Sequence, residues 1–561
     1  MRKLKTEAGE RLCGKAWDVY PRPQLRRKDY VNLNGQWDFT VTQSDEMPSA
    51  FDRKINVPFP VESDLSGVAE HFSEGSRLWY CTSFAAPQGE RVLLHIDGVD
   101  QRARVILNGE CLADNISTVL HGIETVDITK CVKPENELLI CVTDDLNDKS
   151  YPYGKQTLKR GGMWYTPVSG IWQTVWLEAV PKEYISGIKI TPTADSAEIE
   201  IFGIDSGVAA CEGREYPVVN GKTIIKPENL RLWTPETPHL YDFTVKAGED
   251  EVQSYFALRT VEVKEVNGIK RLCLNGKPYF FHGLLDQGYW PDGIYTPASP
   301  ECYADDILSM KALGFNTLRK HIKIEPQTFY YDCDRLGMIV FQDMVNNGRY
   351  SFLRDTALPT VGMQKLGDKR LNRDEKCRKA FADAMESTVE RLYNHPCICY
   401  WTIFNEGWGQ FESSAMYEKL KALDATRIVD STSGWFRCGR TDVDSRHVYF
   451  KPFKIPKSDM PVVLSEFGGF VYKDSEHSYN PDKTYGYRYF KTREDFESAL
   501  LKLYSEEIIP VVKEGLCAAI YTQVSDVEDE TNGLVTYDRK VCKLSAEKMR
   551  DIAQKLQEEI L

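Results

Sequence analysis

The chain has 561 residues, 42% hydrophobic and 27% charged, which at roughly 100–200 residues per domain is enough for three to five domains with substantial cores. Its 83 acidic and 70 basic residues leave a net charge of −13, spread along the chain without a block of either sign. Such a surface repels phosphates and argues against a nucleic-acid partner. Fifteen cysteines, an odd number without a CxxC pair, speak against a disulfide framework and structural zinc. Several lie in apolar runs, as Cys141 does in LLICV and Cys517 in GLCAAI, where a thiol behaves as a small hydrophobe, so a reducing, cytoplasmic location is expected. The segment MRKLKTEAGERL is polar, without the apolar stretch of a signal peptide, and no run approaches the roughly 20 apolar residues of a membrane span.

From Tyr30 to Glu178 the sequence reads as short β-rich runs, among them GQWDFTV, RLWYCTSFAA, RVLLHIDGVD, ARVILNGE, NELLICVTD and IWQTVWLEAV, punctuated by Asn34-Gly35, Asp97-Gly98 and Asn108-Gly109. Regular strands with such turns predict a jelly-roll β-sandwich over residues 1–180. Its tryptophans, Trp37, Trp79, Trp164, Trp172 and Trp176, suit a sugar-binding surface as a group, while core packing is the better expectation for any one of them. A second β-rich segment, 181–265, has the length of an immunoglobulin-like β-sandwich, without a Cys-Trp-Cys signature, and carries no evident chemistry.

After Asn267-Gly268 apolar strands alternate with helical patterns. The strand candidates are PYFFHGLL, FNTLRKH, MIVFQD, CICYWTIFN, RIVDST, HVYF, PVVLSEF and LCAAIYTQ, and helix-like stretches such as YADDILSMKALG and RKAFADAMESTVERLYN lie between them. Eight units over 266–561 predict a C-terminal (β/α)8 TIM barrel, and hence a multidomain chain. The weakest unit surrounds Gly434 to Arg446, where helical periodicity is slight. A polar insertion from Asn346 to Asp374 follows the third strand and would overhang the catalytic face.

In such a barrel the polar residues at strand C-termini converge on one mouth. Here they are Asp286, Gln287 and Trp290 after strand one, Arg319 and His321 at strand two, Asp343 at strand three, and Asn405 and Glu406 at strand four. Trp435 follows strand five, His447 and Tyr449 end strand six, Glu466 ends strand seven, and Gln523 and Asp526 follow strand eight. The stretch CYWTIFNEGWGQF (399–411) is the clearest, a buried strand that ends in a carboxylate. Glu406 and Glu466 can face each other, and two carboxylates flanking a sugar are what glycosidic cleavage requires, one as proton donor and one against positive charge at the anomeric carbon. Metal-dependent hydrolysis competes, since Asp343, His321 and His447 are ligand types, but no HxxxH or HxH pair is present, so neither metal nor cofactor is expected. Arg319 and Asp343 have a plainer reading as an ion pair of the wall, and His282 and His395 as structural histidines.

SGIWQTVWLE (169–178), NHPCICYWTIFNEGWGQF (394–411) and VVLSEFGGF (462–470), in a three-domain order, resemble glycoside hydrolase family 2, the family of β-galactosidases, β-glucuronidases and β-mannosidases. The resemblance covers essentially the whole chain. It implies a retaining exo-β-glycosidase with Glu406 as general acid/base and Glu466 as nucleophile, Asn405 on the sugar 2-hydroxyl, and Tyr449 holding Glu466. The implied partner is a carbohydrate, with a homo-oligomer left open. Glu530-Thr531-Asn532-Gly533 lacks the Asn-x-Lys element of β-glucuronidases, with Lys451 and Arg446 as the candidate substitutes. β-Galactosidase is therefore the first expectation, with β-glucuronidase or β-mannosidase as alternatives and an inactive carbohydrate-binding protein as the alternative of another class.

Overall fold

The computed structural model describes residues 1–360, 362–363, 367–368 and 371–561, so the Asn346–Asp374 insertion lies partly outside the described residues. The N-terminal part is a pair of antiparallel sheets packed face to face. One sheet orders Tyr30–Asn32, Val175–Val180, Arg91–Ile96 and Glu124–Asp127, and the other Arg53–Val57, Gly35–Thr42, Arg77–Ala85, Glu135–Thr143, Arg102–Leu107 and Glu110–Ile116. Alternate side chains of each strand point inward, so that Trp37, Phe39 and Tyr80 from one sheet meet Leu94, Ile96 and Leu177 from the other. Trp37, Trp79 and Trp176 are core residues, as expected of single tryptophans, whereas Trp164 is half-buried and has another role, described below.

Residues 187–256 form seven strands paired antiparallel as one continuous sheet. The period of two is clear, with Phe243, Val245 and Ala247 buried while Asp242 and Lys246 face water. A hairpin of Val261–Val266 and Ile269–Leu274 then leads into the barrel.

The barrel strands are β1 (Phe281–Asp286), β2 (Thr317–Lys320), β3 (Ile339–Asp343), β4 (Ile398–Asn405), β5 (Ile428–Ser433), β6 (Asp444–Val448), β7 (Val462–Gly468) and β8 (Leu516–Thr522). All seven recorded pairings are parallel, in the order β5-β4-β3-β2-β1-β8-β7-β6. Helices α1 (Glu301–Ala312), α2 (Gln327–Leu336), α3 (Glu375–Leu392), α4 (Ser413–Leu423), α5 (Arg493–Leu503) and α6 (Ala546–Ile560) cover the other strands. The expectation of eight complete β/α units is corrected at two places, because loops replace the helices after β5 and β6. Ten residues between Ser433 and Asp444 are too few for a helix with its two turns, and Pro452, Pro456 and Pro461 break the segment between β6 and β7. No helix among the described residues is long and apolar enough to cross a membrane.

Asp334, on the last turn of α2, ties the middle unit to the barrel. Its Oδ2 accepts from His395 Nδ1 and the Tyr255 hydroxyl, both at 2.7 Å, and its Oδ1 accepts from the Cys397 amide at 2.8 Å. Trp233 Nε1 donates to its carbonyl at 2.7 Å, and Arg259 donates to the carbonyls of Pro396 and Ile398. His395 is thus structural, as is His282, whose Nδ1 meets the Gly314 carbonyl at 3.2 Å. Asp334→Ala leaves three buried partners unpaired and should cost about 3 kcal/mol or more. A melting temperature lowered by several degrees, read by circular dichroism, is the expected result; an unchanged one would refute the clamp.

Candidate active site

Arg319 is the centre of the mouth. In β2 it points into the barrel while its neighbour Lys320 points out, because successive strand residues face opposite sides. Its Nε donates to Asp343 Oδ1 at 2.9 Å, its Nη2 to Asn405 Oδ1 at 2.8 Å, and its Nη1 to Glu466 Oε1 and the Ser465 carbonyl, both at 3.0 Å. The guanidinium is fully buried. Burial works against its charge, but Asp343 and Glu466 outweigh that and raise its pKa. Asp343 also accepts from His321 Nδ1 at 2.7 Å, so one carboxylate orients both an arginine and an imidazole.

Glu466 lies within β7. Its second oxygen accepts from the Tyr449 hydroxyl at 2.6 Å, and Tyr449 stacks on Tyr487 with ring centres 4.0 Å apart. Burial pushes the Glu466 carboxyl up, yet His447, Arg319, His321 and the Tyr449 hydroxyl together hold it down to about 2. Strand pairing shifts at Arg446/His447 and again between Leu464 and Phe467, and these irregularities set His447 opposite Glu466.

Glu406 directly follows β4 in a left-handed conformation, φ 53°, with its amide donating to the Ser433 carbonyl at 2.9 Å. That conformation costs a residue with a Cβ roughly 1–2 kcal/mol, and it turns the carboxylate over the mouth. Gly407 follows because a Cβ there would fall 2.1 Å from the Phe436 ring. His447 Nδ1 is 2.7 Å from Glu406 Oε1 and 3.5 Å from Glu466 Oε2, and its Nε2 meets the Ser433 hydroxyl at 3.1 Å. Ligand atoms of Glu406, His447 and Glu466 all lie within 4.8 Å of one another. A cation among them would have to displace the donors Glu466 already accepts from and would stand beside the Arg319 guanidinium. The donor set fits a hydrogen-bonded carboxylate pair, not a metal ion.

Eight of the expected residues therefore meet: Arg319, His321, Asp343, Asn405, Glu406, His447, Tyr449 and Glu466. Trp435 stands at the rim, its ring centre 5.7 Å from that of His447 and its Nε1 buried without an acceptor among the described residues. Gln287 and Gln523 join β1 to β8, Nε2 to Oε1 at 2.8 Å, and Gln523 continues to Asn532 at 2.9 Å. Two further residues make other contacts. Asp286 pairs with Lys320 at 2.6 Å, its partner in strand register, and caps the Gly288 amide at 2.9 Å, so it serves the wall. Trp290 turns into the core against Tyr303 under Arg539, because its backbone closes a tight loop with Ile294. Asp526 accepts from Lys543 at 2.7 Å as a buried ion pair.

Other residues reach the mouth from outside the barrel, and only Trp164 among them was expected, as one of a group of tryptophans suited to a sugar-binding surface. Trp164, from the N-terminal sandwich, packs edge-on against Trp408 and Tyr350, at 5.3 and 4.8 Å between ring centres. Tyr165 donates to Glu530, and the Tyr153 and Gly154 amides donate to the Asn346 carbonyl, at the start of the insertion, at 3.1 and 3.3 Å. The only signal in the sequence is the density of Gly and aromatic residues in GGMWYTP, just before SGIWQTVWLE.

The model for "Glycosyl hydrolases family 2, TIM barrel domain" matches residues 261–466, and that for "Glycosyl hydrolases family 2" matches 184–259. A β-galactosidase of Pseudoalteromonas haloplanktis is 24% identical over 78% of this chain and 44% of its own length, and one of Aeromonas hydrophila is 27% identical over 69% and 38%. The chain thus spans less than half the length of these curated relatives. Among solved structures, a β-glucuronidase of an uncultured Clostridium species superposes with a TM-score of 0.72 at 17% identity, covering 96% of this chain and 99% of that one. A β-galacturonidase of Eisenbergiella tayi bound to galacturonate gives 0.68 at 18%, covering 95% and 99%.

A carboxylate held down to about 2 in the fold contributes stability that is complete above the ordinary carboxylate value of 4.5 and is lost as pH falls toward 2. Glu466→Gln is therefore expected to melt below the parent at pH 7, with the gap narrowing steadily below pH 4.5. Melting curves at pH 7 and pH 3.5 test this, and a gap that widens on acidification would contradict it.

Proposed function

Because the chain belongs to glycosyl hydrolase family 2, we propose that it is a retaining exo-β-glycosidase acting on β-galactosides by double displacement. The observation that carries the reading is the facing pair, Glu406 and Glu466, with one oxygen of each carboxylate within 4.8 Å of one of the other. Such close oxygens suit the short separation of a retaining site, about 5–5.5 Å between carboxyl groups, better than the roughly 6.5–9.5 Å of inversion.

Glu466 is the nucleophile. A nucleophile must be ionised, and the donors around it keep it so. Tyr449 and Arg319 hold one oxygen each, which aims the carboxylate at the anomeric carbon. Glu406 protonates the departing oxygen in the first step and takes a proton from water in the second, with His447 fixing its carboxyl group. Asn405 has its carbonyl oxygen held by Arg319, so its amide nitrogen is the end available to a sugar 2-hydroxyl. An inactive sugar-binding protein would not need a buried carboxylate kept charged against its desolvation.

The galactoside reading is supported by the relatives named β-galactosidase, over most of this chain. β-Glucuronides and β-mannosides are the next to test. For a glucuronide the cation is wanting at the expected places, since Arg446 is taken by Asp444 at 2.6 Å and Lys451 is exposed. The jelly-roll and immunoglobulin-like character of the first two units, their boundaries at 180 and 265, and a cytoplasmic location, which all fifteen cysteines being free thiols favours, belong to the same proposal.

With a 2,4-dinitrophenyl β-glycoside, Glu466→Ala should abolish turnover while Glu406→Ala keeps glycosylation near the parent rate. With an alkyl β-glycoside, Glu406→Ala should fall by about 10²–10⁴-fold, the usual worth of a general acid. Proton NMR of the first product formed should show the β-anomer; an α-anomer, or equal losses in the two variants on both substrates, would overturn the mechanism.

A further inference from the structure

The His447 side chain is fully buried between the two glutamates, while Glu406 beside it keeps 18% of its side chain exposed at the mouth. Which ring nitrogen carries the hydrogen follows from the neighbours of each. Arg319 Nη1 lies 3.4 Å from Nε2, and a guanidinium nitrogen can only donate, so Nε2 is an acceptor and the hydrogen belongs on Nδ1. The Ser433 hydroxyl, 3.1 Å from Nε2, can turn its hydrogen to the same lone pair.

Ser433 is one of three buried serines in mutual contact, standing on β5, β6 and β7. Its Oγ is 3.2 Å from Ser445 Oγ and 3.0 Å from Ser465 Oγ, and those two are 2.6 Å apart. A hydroxyl gives one hydrogen and accepts others, so turned in the order Ser465, Ser445, Ser433 the three form a run of donors that ends on Nε2. Each bond in such a run strengthens the next, including the one that Nδ1 makes. A Cβ at Gly434 would stand 2.6 Å from Nδ1, so the ring packs directly on that backbone and keeps its direction.

The consequence falls on Glu406. Nδ1 is 2.7 Å from its Oε1 and 3.5 Å from Glu466 Oε2, so the stronger bond goes to Glu406, and Oε2 is the oxygen left to carry an acidic proton. We propose that His447 is a positioning residue that keeps its Nδ1–H on Glu406 Oε1 through both steps of the reaction and so confines the transferable proton to Oε2. The inference rests on the glycosidase reading and deepens it. In the first step the Oε2 proton passes to the departing oxygen, which also takes the electron pair of the broken C–O bond, while Glu466 bonds the anomeric carbon. In the second, water bonds that carbon, its proton passes to Oε2, and Glu466 leaves with the pair of the ester bond. The histidine hydrogen does not move in either step.

The test uses the full chain with isotope-labelled histidine. In a long-range proton–nitrogen spectrum of the parent, His447, identified by the signal lost in His447→Asn, should carry its hydrogen on Nδ1. A hydrogen on Nε2, in the other tautomer or in the doubly protonated ring, would overturn the proposal and leave the glycosidase reading intact. This measurement is made on the parent and does not depend on how His447→Leu folds. In kcat/KM, His447→Leu should lose about 10–10²-fold more on an alkyl β-galactoside than on a dinitrophenyl one, the worth of one hydrogen bond to a charged group. Asn sets its amide nitrogen where Nδ1 stands and Gln near Nε2, so His447→Asn should bring that ratio back to within about threefold of the parent and His447→Gln should not. Equal losses on both substrates, or rescue by Gln as complete as by Asn, would also overturn it. A parent inactive on every glycoside would fail the glycosidase reading and the proposal with it.

Discussion

The mouth of the barrel depends on a single buried guanidinium. Arg319, standing on β2, bonds four groups on three other strands, Asp343 on β3, Asn405 on β4, and Ser465 and Glu466 on β7. Only a planar, permanently charged fork can meet that set of acceptors at once, and a lysine ammonium in its place would reach one or two of them. The desolvation of the arginine is offset by two carboxylates, and those carboxylates in turn hold His321 and receive Tyr449. Removing any one member leaves the others buried and unpaired, so the polarity of the centre is collective.

Around that centre the local backbone is shaped to aim side chains. Glu406 is left-handed, Gly407 makes way for Phe436, and Gly434 makes way for the His447 ring, which a Cβ would meet at 2.6 Å. Irregular pairing at β6 and β7 turns His447 toward Glu406 and Glu466. The sheet supplies rigidity and its departures from regular pairing supply direction, which is how such strand ends carry chemistry.

Both glutamates and Tyr449 were legible in the sequence because an apolar run that ends in a carboxylate has few readings in a parallel barrel. Arg319, Asp343 and His321 were legible for the same reason, as polar residues in strands that are otherwise buried. Asp286, the last residue of β1, is drawn to its register partner Lys320, and Trp290, past the strand end where direction is not fixed, follows a loop closed by Ile294. The two missing helices were half visible, in the weak periodicity of 434–446 and in the prolines after β6. Trp164 was visible only as one of the sandwich's tryptophans and Tyr165 not at all, since nothing local in a β-sandwich says which loop will reach a barrel some 150 residues or more further along the chain.

The segment 153–165 bears on modularity. A polypeptide starting at residue 266 would keep all eight strands, Arg319 and both glutamates, and on a map of sequence motifs it would look like a self-sufficient catalytic module. It would nevertheless lack one side of its cavity, because Trp164 covers Trp408, the Tyr153 hydroxyl donates to the Gly348 carbonyl at 2.8 Å, and Tyr165 steadies Glu530. The sandwich is therefore a wall of the site as well as an appended domain, and recombination that exchanged it for a homologous one would alter the pocket even with every barrel residue preserved.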